Sequence, residues 1–173
     1  VRHEQGAAHS ADAYGRVSGG KPGVCVATSG PGATNLVTGI MTAYMDSSPL
    51  MAITGQVPLA LLGKDSFQES DILGITRPIT KKNYLISKVE EIPFIFQEAY
   101  RIATEGRPGP ILIDVPKDIQ LAKINAEDFE SYFHHATLAL EEKPDIKKSF
   151  SGLEAIAEAI NRSEKPLIIA GAG

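Results

Sequence analysis

At 173 residues, 43% hydrophobic and 22% charged, the chain has the composition of an ordinary globular protein able to bury a sizeable core. A net charge of −4 and a pI near 5.6 give no basic footprint for nucleic acid or an anionic membrane surface. No apolar run approaches the roughly 20 residues that a membrane span needs, and the opening residues do not read as a signal segment. The single cysteine, Cys25, excludes a disulfide framework or Cys-based metal site within the chain and suits a reducing, cytoplasmic setting.

In chain order, small residues with apolar positions at Ala7, Ala8, Ala11, Ala13, Tyr14 and Val17 predict a closely packed helix over 5–17. The Gly- and Pro-rich cluster 18–23 ends it. Residues 24–28 form a short β-branched run, as expected of a strand buried on both faces of a parallel sheet. The turn Ser29-Gly30-Pro31-Gly32 then leads into a helix reaching Tyr44 or Met45. Residues 50–54 repeat the buried-strand pattern. Beyond them, 59–76 is less regular, with Ser66-Phe67-Gln68-Glu69 expected to open a short helix. A less buried strand is expected at 79–86, a helix from Glu90 to Glu105, and another buried strand from Pro110 to Val115.

Strands alternating with helices imply βαβ units: an α/β fold with a parallel sheet flanked by helices, its ligands at the carboxyl ends of the strands. The polar loops after Thr28, Thr54 and Val115 are then expected along one rim. From Leu121 to Ser149 the chain turns charged and irregular, as a linker would. Ser151 and Glu154 have the spacing of a capping box for a helix to Ile160, and 167–170 read as a strand. Three parts follow: a domain over 1–120, a linker over 121–150 and the start of a second α/β domain over 151–173. Val1 in place of a methionine, and a final strand and Gly-rich turn with no sheet after them, lead us to expect a fragment of a longer protein, incomplete at both ends.

Several residues have chemistry to offer. Glu4, where an extended segment becomes a helix, is either a first-turn carboxylate favoured by the helix dipole or a half-buried acid able to exchange a proton with a bound ring. The TSGPGATN turn matches neither the dinucleotide fingerprint nor the phosphate loop, yet it lets backbone approach a flat ligand. Gln56 and Gln68 are neutral amides able to donate to a developing oxyanion. Phe67 is either core or the wall of an apolar pocket. Lys117, between Pro116 and Asp118, and Arg107, between Gly106 and Pro108, are anion-binding candidates or ordinary surface charges. His3, His9, His134 and His135 lack metal-ligand spacing.

The succession HEQGAAH, TSGPGATN, ITGQVP, FQESD, GRPGPILIDVPKD resembles, across nearly the whole chain, the amino-terminal pyrimidine-binding domain of thiamine-diphosphate enzymes. Within that superfamily it is most similar to the catalytic large subunit of acetolactate synthases. The first two pieces specify the superfamily; FQESD and GRPGPILIDVPKD, with TGQVP before them, point to the synthases.

The resemblance implies roles by position. Glu4 corresponds to the glutamate that hydrogen-bonds N1′ of the cofactor's aminopyrimidine and so helps remove the thiazolium C2 proton. That role calls for a carboxylate with a raised pKa. Pro31 and Asn35 correspond to positions touching the aminopyrimidine, and Gln68 to an amide near the reacting centre. Phe67 and Lys117 correspond to residues lining the substrate channel, and Arg107 to an arginine associated with that channel and an FAD site. The implied cofactors are thiamine diphosphate, Mg²⁺ with ligands outside this chain, and FAD.

The implied reaction joins two 2-oxo acids, two pyruvates or pyruvate and 2-oxobutyrate, with loss of CO2, in branched-chain amino acid biosynthesis. The resemblance also implies a homo-oligomer with its active site between subunits, a possible regulatory subunit, and a second domain over 151–173 of the FAD-binding kind. The isolated fragment is then expected to be inactive. Alternatives are another carboligase or decarboxylase of the superfamily, or a noncatalytic binding or assembly module retaining the fold. A glyoxylate carboligase is disfavoured by the glutamate at position 4.

Overall fold

The computed structural model describes residues 1–141, 152–167 and 169 of the chain. Its first element, α1 (Glu4–Val17), begins where the ring nitrogen Nδ1 of His3 accepts the Gln5 N–H at 3.1 Å and ends at Ser18 before the turn glycines Gly19 and Gly20. The buried face of α1 consists of Ala8, Ala11, Asp12 and Gly15, whereas Tyr14 and Val17 from the expected apolar set are exposed. Small residues rather than large ones define this face, because the helix lies almost backbone to backbone on its neighbours. A Cβ on Gly39 would sit 2.4 Å from that of Ala8. The buried Asp12 carboxylate binds Arg16, which reaches on to Asp46 at 2.6 Å and ties α1 to the far end of the next helical layer.

Strand β1 (Gly23–Ala27) follows, then the single turn α2 (Pro31–Thr34), α3 (Val37–Met45) and strand β2 (Leu50–Gln56). After a loop come α4 (Ile72–Thr76), β3 (Lys82–Leu85), α5 (Ile92–Thr104), β4 (Pro110–Pro116) and α6 (Lys117–Leu121). The strands form one parallel sheet in the order β1-β2-β4-β3, as the βαβ pattern predicts. Along β2 and β4 successive side chains enter opposite layers, as the two-residue period of a strand requires. Leu50, Ala52 and Leu112 join Ala8, Leu36 and Ile40 under α1 and α3, while Met51, Ile111 and Ile113 join Ile95, Ala99 and Ala103 under α5. Burial on both faces explains the apolar runs 50–53 and 111–113 within these two strands. Ile113→Val, a loss of one fully buried methyl group, is expected to cost about 0.5–1.5 kcal/mol in urea unfolding, and an unchanged midpoint would contradict this packing.

The expectation of two-sided burial fails for β1. This edge strand buries Cys25 and Ala27 against α1 and α3 but leaves Val24 and Val26 exposed, because α5 covers β2, β4 and β3 only. Residues 66–69 form a turn rather than a helix; the helix begins at Ile72, where the Asp71 carboxylate accepts the Gly74 N–H.

The charged stretch after Leu121 is not irregular throughout, since α7 spans Ala126–Glu141. Phe129 and Phe133, one turn apart with centroids 6.4 Å from each other, face Ile92, Pro93, Phe96 and Tyr100 of α5 across an open apolar groove of about 610 Å³, and α7 runs beside α5 with the Gln97 amide donating to the Phe133 carbonyl at 3.4 Å. Last is α8 (Leu153–Arg162), which starts after Gly152 without a side-chain cap. The Ser151 half of the expected capping box lies outside the described residues, as do Ile168 and Ala170 of the strand expected over 167–170. Among the described residues, no helix is long and apolar enough to cross a membrane.

Candidate active site

The carboxyl ends of β1, β2 and β4 open onto a cleft of about 630 Å³ lined by Thr28, Ser29, Gly55, Gln56, Lys117 and Gln120, among others. The three polar loops therefore do gather along one rim. Glu4 stands at the edge of this rim on the first turn of α1. The Asn35 amide donates to its Oε2 at 3.1 Å, across from the turn that follows β1. Gly32 lies over the other oxygen. A Cβ there would be 3.4 Å from Glu4 Oε1 and 2.6 Å from Thr28 Cγ2, so the lack of one lets the turn pack closely on Thr28 and on the carboxylate. Glu4 is only partly buried, so a ring edge carrying a protonatable nitrogen can reach its carboxylate. The carboxylate can share a proton with such a nitrogen, and Asn35 holds the carboxylate in place.

The direction of the Glu4 pKa departs from expectation. Its own backbone N–H, the Asn35 amide and the charge of His3 draw the carboxyl below the ordinary range, outweighing a rise from burial. The group faces open space in this chain, and donors dominate where desolvation is slight. A raised value requires that the carboxylate be covered.

The loop between β2 and α4 brings Gln68 to the same place. Gly30, with φ +60° and ψ −121°, is the residue before Pro31, and a Cβ there would meet the Gln68 carbonyl oxygen at 2.7 Å. Gln68 itself has a φ of +59°, which turns the chain sharply and leaves Phe67 89% exposed. Phe67 is thus not core. Pro31 is exposed on the turn that carries Asn35, and Lys117 reaches the cleft from the end of β4.

Two candidates have their polar groups engaged elsewhere. Gln56 is buried, and its side chain is fully engaged: it donates to Ser70 O and Asp114 Oδ2 and accepts the Val57 N–H, leaving no donor for an oxyanion. Arg107 lies at the amino-terminal end of the sheet, beyond the opposite rim. There it donates to Ser47 Oγ at 2.7 Å and to the carbonyls of Tyr44 and Met45, closing the end of α3. Within one chain it does not meet Glu4. Among the described residues, no cluster of His, Cys, Asp or Glu has the makings of a metal site, and His134 and His135 are exposed.

One ionisable residue escaped the sequence reading. Asp114 lies in the middle of β4 at 1% exposure and accepts Thr54 Oγ1 at 2.6 Å and Gln56 Nε2 at 2.9 Å. Burial pushes its carboxyl up to about 6 from 3.8; the Thr54 and Gln56 bonds offset part of the rise and the charge of Asp71 adds to it. The folded state therefore holds this proton more tightly than the unfolded chain does. The Asp114 contribution is most favourable below about pH 4 and falls as pH rises to about 6, by at most about 3 kcal/mol. Asp114→Asn should remove that downward slope from urea-unfolding free energies measured between about pH 4 and pH 7. An identical pH dependence in the two proteins would contradict the assignment.

Residues 1–75 match the family described as thiamine pyrophosphate enzyme, N-terminal TPP binding domain. Over its whole length the chain is 54% identical to a probable acetolactate synthase large subunit of Methanocaldococcus jannaschii and 51% identical to an acetolactate synthase of Arthrospira platensis, covering 29% of each. Over 99% of its length it is 51% identical to a chloroplastic acetolactate synthase of Arabidopsis thaliana, covering 25% of that protein. The chain thus spans less than a third of the length of these relatives.

Proposed function

We infer that this chain, a member of the thiamine-diphosphate enzyme family, is the pyrimidine-binding part of an acetolactate synthase that joins two pyruvates, or pyruvate and 2-oxobutyrate, with loss of CO2. The observation that carries the reading is the Glu4–Asn35 pair packed against Gly32, on the rim where the turn after β1 and the Gln68 loop meet. Thiamine diphosphate, when bound, supplies the carbon nucleophile and electron sink that the side chains of this protein lack. Glu4 would hold and return a proton at the pyrimidine ring nitrogen, and Asn35 would fix the carboxylate while doing so. Pro31 and the Gly32 backbone would set the plane of the ring. Gln68 and Phe67 would flank the reacting 2-oxo acid, and Lys117 would offer its carboxylate a counter-charge from the cleft.

The proposal extends to parts that the resemblance alone supplies: Mg²⁺ with ligands elsewhere in the protein, FAD, and an active site shared between subunits of a homo-oligomer, with or without a regulatory subunit. Arg107, remote from Glu4 in its own chain, would then contribute to FAD or to the channel across such an interface. Residues 1–120 would form the pyrimidine domain, 121–150 a connection that includes α7, and 151–173 the start of an FAD-binding-like domain. The exposed stripe Leu153, Ile156 and Ile160 on α8 supports a further layer over that helix. The buried free thiol of Cys25 favours a reducing cytoplasmic setting.

Product analysis tests the reading. The full-length protein given pyruvate, thiamine diphosphate and Mg²⁺ is expected to release CO2 and acetolactate. Acetaldehyde as the main product, or no turnover of pyruvate, would replace the synthase with a decarboxylase, another carboligase or a noncatalytic module.

A further inference from the structure

We propose that Asp114 and Gln56 are a positioning pair that sets Gln68 and Phe67 against the Gly30–Asn35 turn, acting on the site from inside the sheet. The inference rests on the proposed function, because it is through Gln68 and Phe67 that the pair acts on the substrate. The segment between β2 and α4 leaves the sheet at Gln56 and returns at Asp71. Its outer part is held to itself: the Glu69 carboxylate accepts the Gly63 N–H and, at 2.8 Å, the Ser66 N–H. Its departing arm is held where Asp118 accepts the Leu59 N–H.

The returning arm, which carries Gln68, is joined to the sheet interior by Gln56 Nε2, which donates to Ser70 O at 3.0 Å. The other proton of that amide goes to Asp114 Oδ2 at 2.9 Å, and Oε1 takes the Val57 N–H at 2.9 Å. With both ends engaged, the amide has one orientation. Asp114 is fixed in turn by Thr54, so the chain of bonds runs from the centre of β4 through β2 to the residue two beyond Gln68. Behind the arm is a pocket of about 260 Å³ that also includes Asp114, Ser70 and Leu73, room into which the arm can move once released. Ser70 Oγ is buried there without a hydrogen-bond partner among the described residues, so the arm is held through its backbone and not its side chain. Gly30 touches the Gln68 backbone on the opposite side, so small shifts of the arm change where Gln68 presents its amide.

The test uses the full-length protein with Gln56→Ala, Asp114→Ala, both together, and Asp114→Asn. Gln56→Ala is expected to speed hydrogen exchange of the Gly63 and Ser66 amides at least tenfold and to lower kcat/KM for pyruvate at least tenfold, with thiamine-diphosphate affinity within twofold. Asp114→Ala should do the same, and the double variant should be no worse than either single one, as expected of residues acting in series. Asp114→Asn keeps an oxygen for Gln56 and offers its N–H to the Thr54 hydroxyl, so it should recover most of kcat/KM.

Unchanged exchange over 63–71 in Gln56→Ala, additive losses in the double variant, or a loss of cofactor affinity equal to the loss of kcat/KM would each overturn the proposal. If the alanine variants do not fold, the exchange and kcat/KM of Asp114→Asn beside Gln56→Glu decide. Gln56→Glu sets a second carboxyl against Asp114, and the one proton the two share lies between them, so Ser70 O loses its donor; the arm should be released, and wild-type exchange would refute the pair. Should the wild-type protein form no acetolactate, the synthase reading fails while the exchange experiment still decides whether the pair holds the arm.

Discussion

Glu4→Gln in the full-length protein is expected to lower kcat for acetolactate formation by about 10²–10⁴, the range that a positioned acid–base group contributes. The substitution keeps the shape of the side chain and an oxygen for the Asn35 amide, but an amide cannot take up and return a proton. Unfolding stability should change little, because the carboxylate lies at the edge of the rim and its partners are a neighbouring amide and its own backbone. The same donors hold the carboxyl below its usual range in this chain, so Glu4 is ionised at neutral pH and its small stabilising contribution is lost only on acidification. Covering the carboxylate with an apolar ring would raise the pKa by desolvation, toward the range in which a proton relay is efficient. Steady-state kinetics check this: turnover within threefold of wild type would remove Glu4 from the mechanism.

Gly30→Ala is the second large effect. The positive φ with ψ at −121° disfavours any side chain by about 1–3 kcal/mol. In addition the new methyl group would meet the Gln68 carbonyl at 2.7 Å, a backbone atom that moves only if the arm moves. Urea unfolding should show the stability loss. kcat/KM for pyruvate should fall by about 10²-fold, since a displacement near 1 Å of a positioning element has that cost. Wild-type stability and kinetics in Gly30→Ala would mean that the turn and the Gln68 arm are not coupled. Gly32→Ala makes a useful contrast: its methyl group would press on Thr28 and approach Glu4 without touching the arm.

The parts of this arrangement legible in the sequence are those written locally. Buried strands announce themselves as unbroken apolar runs, and Gly-rich turns follow them, so the alternation of elements and the rim on which the loops gather could be read directly. What escaped depended on partners distant in the chain. Asp114 sits inside an apolar run, and its meaning comes from Thr54 and Gln56 on another strand. For the same reason Gln56, which read as a free amide donor, turns out to be structural.

The face of α1 was misjudged because close backbone approach favours Ala and Gly over the larger Tyr14 and Val17. Within the stretch expected to be irregular, α7 forms beside α5, a proximity that periodicity alone does not announce. Arg107 read as an anion-binding candidate, yet in its own chain it closes a helix end on the far side of the sheet. The direction of the Glu4 pKa depends on what covers the carboxylate, which lies beyond any local pattern.

The most direct measurement is the rate at which deuterium from solvent replaces the C2 proton of thiamine diphosphate bound to the full-length protein, followed by NMR of the released cofactor. In the wild-type protein, exchange should be fast compared with turnover. In Glu4→Gln it should slow by at least about 10²-fold with the cofactor still bound, because the proton held at the ring nitrogen has lost its carboxylate partner. Equal exchange rates in the two proteins would contradict the role assigned to Glu4 and, with it, the account of this site.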